Sequence, residues 1–421
     1  MAVRGLGRNF RLLWAANSVS TLGDGVVAAA APLLVAAVSD DPVLVGLAVF
    51  VQQVPWLLFS LVSGVLIDRL DKQRLIVVVD LLRGALTAVL AVTVWAGDAS
   101  IPVIYALAFL LGTGETLAEN AAATMVPAVV APDDLPSANS RLHGSYFVLN
   151  KFAGRPLGAA LFVLATALPF GVDAMSFVAA ALLVAAMRGV KGGAAAEPAR
   201  RASVRADIAV GVRWLWREPT IRMMAVALCL MNVTLTAGFS IMVLYARDRL
   251  GMSEIGFGLL LSASAVGGVV GAMWAPGLQR WLSAATLLRA GLVIETLTHV
   301  GLALSTAAWL SAAVLVAFGV HSSVLAGVET TIRQRRVPEE LRGRVQSVFM
   351  MLAIGGNAAG ALIGGPLARW RGVTAPFWFA AAAMALLTAI AWRPFARNLS
   401  PADGSLTTTA PPPSEEPLPQ P

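Results

Sequence analysis

The 421-residue chain is 57% hydrophobic and only 13% charged, with 31 Lys+Arg against 24 Asp+Glu. So few charges cannot cover a water-soluble fold of this size, and the apolar residues suffice for roughly twelve bilayer crossings of about 20 residues each, which excludes a soluble enzyme. One cysteine, Cys229, and three scattered histidines exclude disulfides and cysteine-based metal centres, so neither metal nor cofactor is expected.

Met1 to Arg11 carries three arginines, and the apolar run after it is too long for a secretory leader and has no small-residue cleavage site. It reads as the first spanning helix, near 12–38, with the N-terminus left inside. Further apolar runs bounded by charge follow near 43–67, 75–96, 101–130, 142–168, 170–187, 221–245, 255–278, 285–305, 307–332, 345–368 and 374–392. They lack the alternation that a barrel wall needs, so twelve transmembrane helices in an all-α membrane protein are expected. Between the sixth and seventh, the linker 188–220 puts Ile208, Val212, Leu215 and Trp216 on one helical face, as in a helix lying on the inner membrane surface. The chain thus divides into a six-helix half at 1–187, the linker, a second half at 221–396 and a Pro-rich tail at 397–421 that reads as disordered.

With the N-terminus inside, 24 basic residues fall in inner segments and only Arg247, Arg249, Arg369 and Arg371 in outer ones, while Arg83, Lys151 and Arg155 lie within spans. This positive-inside pattern places both termini in the cytoplasm and the chain in a cell membrane. The net charge of +7 then reflects topology, and no nucleic-acid partner is expected. Shifting the chain on itself by 206 residues aligns Pro132 with Pro338, Asp133-Asp134 with Glu339-Glu340, Gly154 with Gly360 and Gly158 with Gly364. The four glycines have the spacing of close helix packing. Two parallel halves of this kind hold a substrate near the midplane between them.

The stretch Gly64-Val-Leu-Ile-Asp68-Arg69-Leu-Asp71-Lys72-Gln-Arg74, followed by Asp80 and Arg83, resembles the signature loop Gly-x-x-x-Asp-Arg-x-Gly-Arg-Lys/Arg of the major facilitator superfamily, with Asp71 where that family usually has Gly. FRLLW at 10–14, DAMSF at 173–177 and RRVPEELRGRV at 335–345 are similar to its drug-efflux branch, that of the macrolide exporters. The resemblance implies the major facilitator fold, twelve helices in two pseudo-symmetric halves, with the first, fourth, seventh and tenth around the substrate cavity. Asp68, at the inner end of the second span, is expected to accept from the unpaired backbone N–H groups at the start of the eleventh helix near Gly343 while the inner side is closed, which makes the signature loop a conformational switch. In the fifth span, Gly154-Arg155-Pro156-Leu157-Gly158 departs from the Gly-Pro-x-x-Gly frequent in exporters, the Pro displaced and an Arg inserted.

An ionisable side chain inside a span is costly and marks a functional candidate. Asp24, Glu115, Glu119, Lys151 and Arg155 lie toward the middle of the bilayer, and His321 and Glu329 sit in the tenth span. Glu295 and His299 read as a polar pair in the ninth span, which the resemblance places at the periphery. Glu115 and Glu119 share a face, as do Lys151 and Arg155. Glu115 is therefore expected to pair with Arg155 across the fourth and fifth spans, leaving Asp24 to exchange protons with Glu115 next in line. The rival roles are local hydrogen bonding for Asp24 beside Gly23 and Gly25, and an ion pair that only pins two helices for Arg155. No Gly-x-x-x-x-Gly-Lys-Ser/Thr nucleotide loop occurs. The expected function is proton-coupled export of a small, amphipathic, drug-like molecule by a monomer in the lipid bilayer. Import or facilitated passage of a metabolite is the alternative, and a membrane-embedded lipid-modifying enzyme is the remote one.

Overall fold

The computed structural model describes residues 6–67, 70–189 and 204–398, without the side chains of 60–67, 204–207 and 398. Asp68 and Arg69 of the signature loop, linker residues 190–203 and tail residues 399–421 lie outside the described residues. In chain order the helices are α1 (Gly7–Val38), α2 (Pro42–Ile67), α3 (Lys72–Ala96), α4 (Ile101–Val129) and α5 (Leu135–Ser145), then a π-helical stretch (Tyr146–Gly154) running directly into α6 (Arg155–Leu164), and α7 (Leu168–Ala185). There follow α8 (Val204–Arg217), α9 (Pro219–Phe239), the short α10 (Met242–Leu244) with a second π turn (Tyr245–Arg249), α11 (Glu254–Trp281), α12 (Ala284–Leu304), α13 (Ala308–Arg336), α14 (Arg342–Arg371) and α15 (Ala375–Asn398). Twelve units are long and apolar enough to cross a membrane, α5 through α6 counting as one, and no strand occurs among the described residues. The chain is a multi-pass, all-α membrane protein.

Local chemistry fixes the helix ends. Asp71, the departure from the signature, begins α3 as its N-cap: its carboxylate accepts from the Arg74 N–H at 3.1 Å. Gly97 closes the same helix with φ +79°, a conformation that costs glycine nothing. Ser253 and Ser283 cap α11 and α12 in the way that Asp71 caps α3. An even number of crossings puts the start of α1, the end of α15 and α8 on one face, here the near face. α8 docks Gly211 against the Arg344 backbone at the start of α14 and buries Leu215 completely, while Val212 and Trp216 stay exposed. Its apolar side is therefore shared between the protein core and the surroundings, and does not rest wholly on the membrane surface.

The glycines aligned by the 206-residue shift occupy equivalent places. A Cβ on Gly154 would press on Gly25 of α1, and one on Gly158 would collide with the Val26 carbonyl. On Gly360 and Gly364 it would collide with the Val233 and Ala237 carbonyls of α9. The fifth and eleventh spans thus lie backbone to backbone against the first and seventh.

Toward the far face, one apolar cluster joins the two groups of helices, with Leu33, Leu34 and Phe170 packed with Tyr245, Phe257 and Phe377. Asp40–Arg247 (2.9 Å) and Asp41–Arg369 (3.4 Å) clasp its rim, and Gly46 and Gly365 bring α2 and α14 together. Toward the near face there are instead two separate clusters, one around Phe10, Met125 and Val184, the other around Leu215, Met224 and Phe349. Among the described residues, one core cluster spans both groups on the far side and none does on the near side.

Candidate functional site: a charged cavity between the halves

Between the two groups lies a cavity of about 470 Å³. Its six charged lining residues, Asp24, Arg83, Glu115, Lys151, Arg155 and Asp173, all come from α1–α7. The wall from α9–α11 is Phe239, Ser240, Val243, Phe257 and Leu261. One side of the cavity is ionic and the other nearly apolar, a fit for an amphipathic molecule.

The glycines flanking Asp24 explain its position. A Cβ on Gly23 would collide with Asp173 and Ser176 of α7, and one on Gly25 would lie 2.7 Å from the Asn150 backbone in the π stretch. Two neighbours thus press against α1 on either side of Asp24, whose carboxylate faces α3. There Arg83 Nη2 donates to Asp24 Oδ1 at 3.0 Å, with the arginine side chain 7% exposed and the aspartate 34%. The guanidinium lies 4.1 Å over the Phe177 ring, and Ser20 Oγ donates to Asp24 Oδ2 at 3.5 Å. Asp80, Asp173, Glu115 and Glu119 also lie within electrostatic reach of Arg83. Asp80 and Asp173 are buried, and Ser176 Oγ donates to Asp173 at 3.2 Å. One guanidinium, paired with Asp24, thus stands among several acidic side chains where charge is costly.

The expected pair of Glu115 with Arg155 is not formed. Glu115 makes no ion pair or hydrogen bond among the described residues. Arg155 Nη1 donates instead to the Leu261 carbonyl of α11 at 2.9 Å, and its Nε is buried without a partner. The physical reason is azimuth: the two residues have comparable depth, but Glu115 looks toward Arg83 while Arg155 looks across the cavity at α11. Lys151 lines the cavity with its ammonium 5.3 Å over the Tyr146 ring. Glu119 belongs to a smaller recess of about 90 Å³ that runs from Asp24, Asp80 and Arg83 past Ser20 to Asn17, on the near side of the main cavity.

His321 does not line the cavity. It is buried against α12, with Nδ1 2.9 Å from the Phe318 carbonyl and Nε2 3.1 Å from Glu295 Oε2, while His299 Nε2 lies 3.5 Å from Glu295 Oε1. The expected Glu295–His299 pair is thus a trio that ties α12 to α13. Glu329 is also buried in α13 away from the cavity, one turn before Arg333. In the signature, Gly64 lies in α2, Lys72 and Arg74 begin α3, and Gly343 opens α14 with space around it. Asp173 is the site residue that charge reading within spans passed over. Its signal was the DAMSF segment, noted for resemblance alone. No group of three or more His, Cys, Asp or Glu that could hold a metal occurs among the described residues.

The chain matches the family model of transmembrane secretion effectors over residues 7–417. It is 26% identical over 381 residues to the multidrug efflux pump Tap of Mycolicibacterium fortuitum, covering 88% of this chain and 91% of that one. It is 25% identical over 373 residues to the enterobactin exporter EntS of Shigella boydii, covering 85% and 84%. In shape it resembles a bacterial homologue of the iron transporter ferroportin, at 18% identity over 94% of this chain and 100% of that one, with a TM-score of 0.74 to the inward-facing state. To the outward-facing state the score is 0.59, at 20% identity over 93% and 100%. These relatives are transporters, not enzymes.

Proposed function

Because the chain belongs to the transmembrane secretion effector family of the major facilitator superfamily, we propose that it is a proton-coupled exporter of small, amphipathic, drug-like molecules. The observation that carries this reading is the Asp24–Arg83 pair on the wall of an otherwise half-apolar cavity. An ionised Asp24 holds Arg83, and a proton on Asp24 releases it. The recess through Ser20, Glu119 and Asn17 gives that proton a polar route toward the near face. Loading of substrate from one side and of a proton from the other are then alternative states of one ion pair, which is the requirement for exchange.

In this reading the near face is cytoplasmic and the membrane is the cell membrane, as the distribution of arginines supports. The two halves, 1–187 and 221–396, rock about the cavity as one monomer, with the far-face clasp holding the state open to the cytoplasm. The named activities of the relatives, multidrug efflux and enterobactin export, support the outward direction. Everted membrane vesicles containing the chain, energised to an acid interior with the membrane potential collapsed by valinomycin and potassium, should accumulate 2-naphthalenesulfonate and lose it when a protonophore is added. Accumulation indifferent to the protonophore contradicts proton coupling.

A further inference from the structure

The cavity contains three cations, and they are not equivalent. Arg83 is surrounded by carboxylates. Lys151 and Arg155 have none among the described residues: the ammonium rests over the Tyr146 ring, and the guanidinium touches a neutral carbonyl, Leu261, leaving Nε buried and without an acceptor there. Two like charges one turn apart repel each other, and in a cavity of this depth neither is fully solvated. The described residues supply aromatic and carbonyl dipoles to them but no counter-charge.

Lys151 and Arg155, four apart, share a helical face, and the π-helical stretch Tyr146–Gly154 brings Tyr146 beneath it. Hydrogen bonds from i to i+5 widen the turn, so residues five apart stack, whereas in an α-helix they would point more than a third of a turn away from each other. Tyr146 thereby lies beneath Lys151, and Asn150, Lys151 and Arg155 all reach the cavity. The stretch ends at Gly154, immediately before the Arg that displaces the proline of the exporter motif. Arg155, in the place of the motif's proline with the Gly–Gly spacing unchanged, directly follows the wide turn, so the exchanged residue and the π stretch adjoin at this pair of cations.

We propose that Lys151 and Arg155 form an anion-binding subsite that takes the carboxylate, sulfonate or phosphate of an amphipathic organic substrate. The subsite rests on the reading of the cavity as the substrate site and names the class of substrate. The Nε edge of Arg155 and the ammonium of Lys151 supply charge-assisted donors, Tyr146 supplies an aromatic floor, and Phe257 and Leu261 receive the apolar body. Arg155 also touches α11, so an anion that engages it acts at the junction of the two halves.

The test is equilibrium binding to the full-length protein in phosphatidylcholine nanodiscs with three probes that share one ring system: 2-naphthoate, 2-naphthamide and 2-naphthylmethylammonium. Naphthoate should bind about tenfold more tightly than naphthamide, and Lys151→Gln and Arg155→Gln should each remove most of that advantage while leaving naphthamide unchanged. Lys151→Gln breaks no contact between helices, and Arg155→Lys should retain part of the preference, so misfolding is separable from loss of the subsite. Equal binding of naphthoate and naphthamide, a preference for the ammonium probe, equal losses for all three, or no binding of naphthoate overturns the proposal. Because no gradient is involved, this result is independent of whether transport is proton-driven.

Discussion

Arg83 of α3 and Asp24 of α1 meet at 3.0 Å, between glycines that admit α7 on one side of Asp24 and the π stretch on the other. With the guanidinium almost fully enclosed, removing it should leave Asp24, Asp80 and Asp173 without their shared cation. Arg83→Gln is expected to lower stability by about 3 kcal/mol, the lower end for a broken buried pair since Asp24 is a third exposed. Asp24→Asn should cost less, because Arg83 keeps its other carboxylates. Thermal unfolding in detergent of the two single variants and the double should show strong non-additivity. Additive losses would mean that the pair contributes no coupling.

The backbone contacts of the repeat can be tested in the same assay. Gly158→Ala and Gly364→Ala place a methyl group against the Val26 and Ala237 carbonyls, where helix axes must move apart. Each should cost about 1–3 kcal/mol, as overpacking does. Gly171→Ala meets nothing within 4 Å and should be neutral. Equal melting temperatures for all three would contradict the close packing.

On the far face, Asp40–Arg247 and Asp41–Arg369 are partly exposed, so each is worth about 0.2–1 kcal/mol. Neutralising one should change the balance of conformers little, but Asp40→Asn with Asp41→Asn should shift it severalfold toward a state closed on the near side. Spin labels at Ser140→Cys and Gln334→Cys, in a Cys229→Ser background, report this as a shorter distance in pulsed electron resonance. An unchanged distance distribution in the double variant would show that the clasp does not hold this state.

Orientation has its own test. An impermeant maleimide applied to intact cells should label Asp98→Cys, in the far-face turn after α3, and spare Ser140→Cys on the near face, again without Cys229. The opposite pattern inverts the proposed sidedness.

The fold was readable because its signals are additive: apolar run length, arginine distribution and the recurrence of Gly154/Gly158 as Gly360/Gly364 each survive small errors in helix ends. A fixed rise per residue put Asp24 and Glu115 at similar distances along their spans, and both line the cavity. Partner choice was not, because it depends on azimuth. Arg83 and Arg155 both lie within spans, yet only Arg83 projects between α1, α4 and α7. The π stretch changes azimuth again within one span, and its sole sequence trace is the displaced proline at Pro156. His321 shows the converse error: tenth-span residues were assigned to the cavity as a class, and this one faces Glu295 of α12 instead.

The central claim is that protons and substrate exchange through Asp24. In everted vesicles holding an acid-interior pH gradient, reported by acridine orange, adding 2-naphthalenesulfonate to the wild type should discharge part of the gradient as protons leave in exchange. The same addition to Asp24→Asn vesicles should leave the gradient intact while 2-naphthalenesulfonate still binds the purified variant. Proton release induced by 2-naphthalenesulfonate that persists in Asp24→Asn contradicts the account.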